Sequence, residues 1–431
     1  MFRKTLILAV ALSNLVPIFA QKYPLVNQDR LQKTIDSLAE FGKDEKGETN
    51  RVAFSDADIA GRRYVMALMR TAGLEVHIDY AGNIIGRRAG SDPAKKPIAF
   101  GSHIDMVPHG GNYDGIVGSL GAIEVARTLK EAGITTGHPL EVIIFANEEG
   151  GVMGSRALAG TLKQDAMKVV NSTGYSMGEG INRIGGDTSK LQDVARKKGD
   201  LAAFLELHIE QGGVLERTHT DIGVVQGIVG INWWDVEVLG HANHAGTTPM
   251  DQRQDALLAA SRFVVAVNEV ALGTKGGHVA TVGRIQAEPG APNVIPGRVV
   301  LSLEIRDLSA ATIQRLFQEI QDRAGEIARA SGTTFHFTPI DATGDPALTD
   351  ERIRAVITQS AETLGLSHRA MPSGAGHDAQ DMALLTPAGM IFVPSVGGIS
   401  HSPREFTPAR DIANGANVLL YTLMALDKDW E

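Results

Sequence analysis

Four short stretches of the 431-residue chain carry side chains able to bind a cation or move a proton. The first, Gly101 to Gly115, contains His103, Asp105 and Asp114. His103 and Asp105 stand two positions apart after the apolar run 97–100, and Asp114 follows among glycines. A His and an Asp joined by a Gly-rich turn after a buried strand resemble half of a metal site, because ligands in open α/β sheets bind beyond the carboxyl ends of strands. Glu148 and Glu149 follow the apolar run 140–146, His208 ends the run 203–209, and His401 follows the run 389–396.

Each signal is weak alone. Two adjacent glutamates are as often a solvated acidic turn, and a lone histidine is more often structural. Jointly, four strand ends offer His, Asp or Glu on what would be one edge of one sheet. His103, Asp114, Glu149, His208 and His401 are enough to hold two divalent ions that share a carboxylate. Imidazole and carboxylate without thiolate suit Zn²⁺ or Mn²⁺, with Co²⁺ and Ni²⁺ also compatible. Such a pair polarises a carbonyl and brings the pKa of a bound water down to about 7. Asp105 is expected behind His103, accepting its other ring N–H. Glu148, left uncoordinated, is expected to take the proton of that water and hand it to a leaving nitrogen.

The elements that must position these groups are readable from periodicity. Helices are expected at 31–41, 56–71, 115–130 and 188–198, and strands at 74–78, 83–87, 98–100, 140–146 and 203–209. Ser55, with Asp58 three positions on, predicts a capping box for the second helix. From about 227 the style changes to strand 228–239, helix 254–272, strands 279–287 and 298–306, helix 310–330 and strand 334–339. That βαββαβ order suits helices on one face of an antiparallel sheet. Helix 351–364, strand 389–396 and helix 408–426 then resume the first style. The expected fold class is α/β: a mixed, mostly parallel sheet, formed by residues 21–226 and 343–431, interrupted by an α+β domain at 227–342.

Composition narrows the function classes. Apolar residues make up 43% of the chain, so a sizeable core is expected. A net charge of -9 argues against a nucleic-acid surface. The absence of cysteine excludes disulfides and thiol chemistry. Residues 1–20 begin with Arg3 and Lys4, continue as an apolar run and end at Ala20 before Gln21, the layout of a secretory signal. The expectation is export, to the periplasm or outside, without stable membrane association once the signal is removed. The apolar run approaches the length of a membrane anchor, but Asn14 and Pro17 weaken that alternative.

His103-x-Asp105, Asp114-Gly115, Glu148-Glu149, His208 and His401 resemble the dinuclear metallopeptidase M20 pattern. More narrowly, the chain resembles the hydantoinase/carbamoylase amidase branch: N-carbamoyl-L-amino acid hydrolases, β-ureidopropionases and allantoate amidohydrolases. That likeness rests on Gly110-Gly111-x-Tyr113-Asp114-Gly115, His208-Ile209-Glu210-Gln211-Gly212, Asn243 to Met250 and Ala291 to Gly297, and it spans nearly all of the chain after residue 20. It implies two divalent ions, with His103 and Glu149 in separate coordination spheres joined by Asp114, and with His208 and His401 completing them. It implies that the inserted domain is both lid and homodimer contact, with His244 reaching the partner's site to steady an oxyanion. It further implies that Asn293 and Arg306 hold a substrate carboxylate, and that Gln211, Gly376 and His377 line the pocket. Many members carry Gln followed by basic residues where this chain has Asn232-Trp233-Trp234, a departure that bears on substrate identity.

The function these residues imply is hydrolysis of a linear, non-peptide C–N bond in a small carboxylate-bearing substrate, of the N-carbamoyl-L-amino acid or allantoate type, by metal-bound hydroxide with Glu148 as base. The nearest alternative is a secreted M20-type dipeptidase or aminoacylase, and the remote one a non-catalytic solute-binding protein on the same fold.

Overall fold

The apolar runs assemble into a nine-stranded mixed sheet. The computed structural model describes residues 23–430, so the expected export signal lies outside the described residues. In spatial order the strands are Glu75–Ile78, Ile84–Arg88, Leu140–Phe145, Ile98–His103, Ala203–Ile209, Ala388–Val393, Ile222–Ile228 and Ala347–Leu348, with His368–Ser373 also paired to Ile222–Ile228. The four central strands, from Leu140–Phe145 to Ala388–Val393, are parallel and buried at every position. Burial on both faces is why their sequences are apolar at most positions rather than alternating.

Successive side chains of these strands serve two different cores. Ile98, Phe100, Val142, Ile144, Leu205 and Leu207 point to one, which helices Gln28–Ala39, Asp56–Thr71, Ile116–Glu131, Glu351–Thr363 and Ala409–Asp429 close. Ala99, Ile143 and Phe204 point to the other, which Met153–Ala159 and Asp378–Leu385 cover. The parallel arrangement brings His103, Phe145, Ile209 and Val393 to one edge, and the candidate site loops all start there.

A second sheet is formed in the middle of the chain. Its order is Ile285–Glu288, Arg298–Asp307, Gly230–Leu239 and Thr334–Gly344, with Val279–Thr281 also on Arg298–Asp307, and every pairing is antiparallel. Here the strands alternate. Trp234, Val236, Val238, Val299, Leu301, Leu303 and Ile305 pack under helices Ala256–Gly273 and Ala310–Ser331. Trp234 stacks on Phe317 with ring centroids 4.0 Å apart. The opposite face carries Trp233, Asp235, Ser302, Glu304 and Arg306 and has no helix over it.

Several elements differ from expectation for local reasons. The expected strand 228–239 is found as Gly230–Leu239, and it is preceded by an unexpected strand of the first sheet, Ile222–Ile228. The expected strand 279–287 breaks into Val279–Thr281 and Ile285–Glu288 around Gly283. The expected helix 188–198 is only a 3-10 turn, Thr188–Asp193, kinked at Lys190. Asp187 caps its start, accepting from the backbone and hydroxyl of Ser189, and the break comes at Lys190, with φ of -117°. The capping box at Ser55 is half formed. Ser55 accepts from the Asp58 N–H, but Asp58 reaches back to the Phe54 N–H rather than that of Ser55.

Helix Ile116–Glu131 is dense in small residues because it lies almost on the sheet. A Cβ at Gly118 would stand 2.0 Å from the Leu207 carbonyl oxygen and 2.8 Å from Ser102 Cβ. Neither neighbour can yield, since both belong to buried central strands. Gly118→Ala is therefore expected to lower stability by about 1–3 kcal/mol by overpacking, read as a lower midpoint in chemical denaturation. An unchanged midpoint would show that helix and sheet are not held this close in solution.

Candidate metal centre

Each strand end delivers one part of the site. His103 is the last residue of its strand, and Ser119 donates to its carbonyl at 2.6 Å, fixing the strand end to the following helix. Asp114 returns to it through Gly115, whose φ of +67° favours glycine. A Cβ at Gly115 would lie 2.2 Å from His103 Nε2, so glycine is also required for space. His208 lies in the fully buried strand Ala203–Ile209. His401, half exposed, sits in the loop after Ala388–Val393 with φ of +53°.

The carboxylate of Asp114 divides the residues into two groups. Its Oδ1 lies 3.7 Å from His103 Nε2 and 3.1 Å from His208 Nε2. Its Oδ2 lies 3.3 Å from His401 Nε2, which is itself 3.6 Å from Glu149 Oε2. In each group, His103–Asp114–His208 and Asp114–Glu149–His401, the donor atoms lie within 4.8 Å of one another. Glu148 belongs to neither group, although its Oε2 approaches His103 Nε2 at 3.6 Å.

The donor set fits divalent cations. His103 and His208 hydrogen-bond through Nδ1 to the backbone carbonyls of Asp105 and Ile209, at 3.0 and 2.9 Å, which turns Nε2 toward Asp114. His103 Nε2 and Glu149 Oε1 are buried without a hydrogen-bond partner. All donors are imidazole or carboxylate, the set suited to Zn²⁺ and Mn²⁺. Such ions would be held by His103, Asp114 and His208 on one side and by Asp114, Glu149 and His401 on the other.

Asp105 does not act as its sequence position suggests. Its carbonyl, not its carboxylate, takes the His103 ring N–H, and the nearer carboxylate oxygen stands 3.8 Å away. The carboxylate instead accepts the backbone N–H groups of Glu148 and Glu149, both at 3.2 Å. These amides lie at the start of a turn after left-handed Asn147 and point their donors at Asp105. Asp105 thus fixes Glu148 and Glu149 together.

One positioning residue went unnoticed in the sequence. Glu405 is buried and accepts the N–H groups of Tyr113 and Asp114 on Oε1, and Ser400 Oγ and the His401 N–H on Oε2. It ties the Asp114 turn to the His401 loop. Its only sequence signal was a carboxylate four positions after His401.

The remaining expected residues separate into two places. Gln211 donates to Asp114 Oδ2 at 2.6 Å. His377 is buried beside His208, with ring centroids 4.4 Å apart, and its Nε2 bonds Ser373 Oγ; Gly376 precedes it in the same loop. His244, Asn293 and Arg306 belong to the middle segment. His244 is exposed, and its Nδ1 accepts from Gly246 and Thr247 of its own turn. Val294, next to Asn293, pairs with it in a two-stranded ribbon.

Electrostatics follow from burial and from this geometry. Burial pushes His103 down to about 4, so it stays neutral. Burial also opposes a charge on His208, but Asp114 and Glu206 outweigh it and lift His208 to about 9. His401 rises to about 9 through its bond to Asp114. Asp114 is held well below the usual carboxylate range because the histidines overcome its burial. Burial, then Asp378 and Glu149, push Glu148 well above that range, and burial and Asp114 push Glu149 up to about 8.

These shifts set the pH dependence of metal binding. Ligands must be deprotonated to coordinate. Groups raised to about 8 and 9 hold their protons at neutral pH, and a bound cation displaces them. After chelation, affinity for Zn²⁺ or Mn²⁺ is expected to rise from pH 6 to 9, with protons released on binding. Calorimetry in buffers of different ionisation enthalpy measures that release. Affinity flat across this range would remove Glu149 and His401 from the ligand set.

Comparison with known proteins agrees with this geometry. A family model described as peptidase family M20/M25/M40 matches residues 99–425. The chain is 39% identical over 407 residues to an N-carbamoyl-L-amino acid amidohydrolase of Geobacillus stearothermophilus, covering 93% of this chain and 99% of that one. It is 40% identical over 416 residues to a ureidoglycolate hydrolase of Arabidopsis thaliana, covering 94% and 87%. The crystal structure of a hydantoinase/carbamoylase family amidase from Burkholderia multivorans superposes with a TM-score of 0.86 at 38% identity, covering 93% and 98%. The protein therefore belongs to peptidase family M20/M25/M40, in its hydantoinase/carbamoylase amidase branch.

Proposed function

We propose that the protein is a two-metal amidohydrolase of small, carboxylate-bearing substrates, cleaving a linear non-peptide C–N bond of the N-carbamoyl-L-amino acid or allantoate type. The observation that carries this reading is the division of Asp114, one oxygen toward each of two His-containing groups, with Glu148 free beside them. Divalent ions bound there supply Lewis-acid polarisation of the carbonyl and make water more acidic. The chain's own residues do the rest. Asp105 holds Glu148 and Glu149 by their amides, so the base and a ligand keep one relative position. Glu148, buried and raised in pKa, takes a proton from the attacking water and returns it to the nitrogen as the C–N bond breaks. Arg306 and Asn293 bind the carboxylate, the guanidinium through its fork of donors.

His244 acts across a homodimer in this reading. Its ring bonds only within its own turn among the described residues, and it stands exposed on the ribbon that pairs it with Val294, beside Asn293. Helix Ala256–Gly273 supports the dimer. Leu258, Val265 and Leu272 recur every seven residues along it and are 46%, 56% and 79% exposed, an apolar stripe that a second copy would cover.

Two experiments test this. Metal-loaded protein is assayed for ammonia release from N-carbamoyl-L-amino acids, allantoate and ureidoglycolate, and for free amine from dipeptides and N-acyl amino acids. Ammonia is expected, with Glu148→Gln abolishing it at unchanged metal content; free amine without ammonia would instead indicate a peptidase or acylase. In the second, Glu148→Gln and His244→Ala proteins are mixed under conditions of subunit exchange. Mixed dimers hold one intact site each, so about a quarter of wild-type activity should return from two inactive parents. No recovery despite exchange would place His244 outside the partner's site.

A further inference from the structure

We propose that Glu304, held by the indole of Trp233, is the positioning residue that presents Arg306 to the substrate carboxylate; this rests on the reading of Arg306 as the carboxylate's partner. The second sheet sets the three residues side by side. Glu304 pairs across from Trp233, and Arg306 lies two positions along the same strand, opposite Ile231. Strand alternation puts all three on the face without helices.

The hydrogen bonds leave a specific part of the guanidinium available. Arg306 donates from Nε to Glu304 Oε1 at 2.7 Å and from Nη2 to Glu304 Oε2 at 3.1 Å. Its Nη1 donates to the Gly374 carbonyl at 2.7 Å. Three of the five guanidinium N–H groups are thus used, and one remains on each terminal nitrogen, the number a carboxylate takes in a bidentate pair. Trp233 Nε1 also donates to Glu304 Oε2, so the glutamate is held by a second residue besides Arg306. Glu304 and Arg306 are each only about a quarter exposed, 24% and 26% by side chain.

Gly374 gives this arrangement its direction. It lies three residues before His377, whose ring packs on His208. Arg306 is therefore held at two points, by Glu304 on its own sheet and by the loop that walls the metal centre. Without Glu304 the long side chain would be anchored at one point and would sample other rotamers before binding. Trp233 supplies a neutral donor to the same carboxylate. An indole donor there fixes the glutamate without adding a charge that would compete with Arg306.

An opposite role for Glu304 is physically available. If it only neutralised Arg306, its removal would strengthen carboxylate binding. The experiment compares the best N-carbamoyl-L-amino acid with its carboxamide, in wild type, Trp233→Phe and Glu304→Gln, with metal content and thermal midpoint measured for each. Wild type is expected to favour the carboxylate. Each variant should reduce that preference by about tenfold, as for loss of a bond to a charged group. The loss should fall on KM, with kcat nearly unchanged. Equal losses on both substrates, or tighter carboxylate binding in Glu304→Gln, overturn the proposal. A wild type indifferent to the carboxylate overturns it together with the reading of Arg306 beneath it. Full wild-type preference retained in both variants overturns the proposal alone.

Discussion

The structure is organised around negative charge buried at one sheet edge. Asp105, Asp114, Glu148 and Glu206 are all buried, and Glu149 nearly so. Burying a carboxylate is costly unless it is paired or hydrogen-bonded. The fold meets this cost with several devices. Histidines surround Asp114. Backbone amides at loop starts point at carboxylates: those of Glu148 and Glu149 at Asp105, and those of Tyr113 and Asp114 at Glu405. The repulsion left over raises Glu148 and Glu149, and it is a cation's charge that would offset it.

Charge alternates behind the site as well as within it. Arg62 and Arg51 are buried and face both Asp105 and Asp58. Arg51 donates to the carbonyls of Ile104 and Leu38, so one side chain joins the strand end at the site to the first helix. Burial lowers Arg51 to about 10, which leaves it charged at neutral pH. Asp58 also accepts the Phe54 N–H at the start of helix Asp56–Thr71. The helix start and the site are thus held by the same group of charges. This explains why Asp58 reaches past the neighbouring amide that a simple capping box would use.

The central strands and the candidate ligand groups could be read from the sequence because each buried strand is a run dominated by apolar residues, with His, Asp or Glu at its end or in the loop that follows. A polar residue that ends such a run must meet another polar partner, and the parallel sheet decides which ones meet. What could not be read depends on backbone direction. The sequence places Asp105 behind His103, but not whether its carbonyl or its carboxylate takes the ring N–H. Glu405 was invisible because its partners are mostly amides, which every residue carries. Strand Ile222–Ile228 was hidden because Gly223, Gln226 and Gly227 interrupt its apolar pattern. The helix expected from Thr188 has its N-cap, Asp187, but Lys190 leaves helical φ/ψ and the segment stops at Asp193.

The two sheets divide the chemistry by how firmly each can hold a group. The candidate metal-binding groups and Glu148 sit at or just beyond the ends of strands buried on both faces, where packing leaves little freedom, and the proposed two-ion centre would need that rigidity. The groups proposed to recognise substrate and partner lie on the second sheet and its ribbon, where side chains are partly or fully exposed. Exposure alone would leave them mobile. Arg306 escapes this because it is tied at Glu304 and again at Gly374, across the boundary between the two sheets. His244 shows no such tie among the described residues; its Nδ1 is occupied by its own turn. An exposed residue held by its own ribbon and turn is already ordered before anything meets it, which is what the role proposed for it across a homodimer would require.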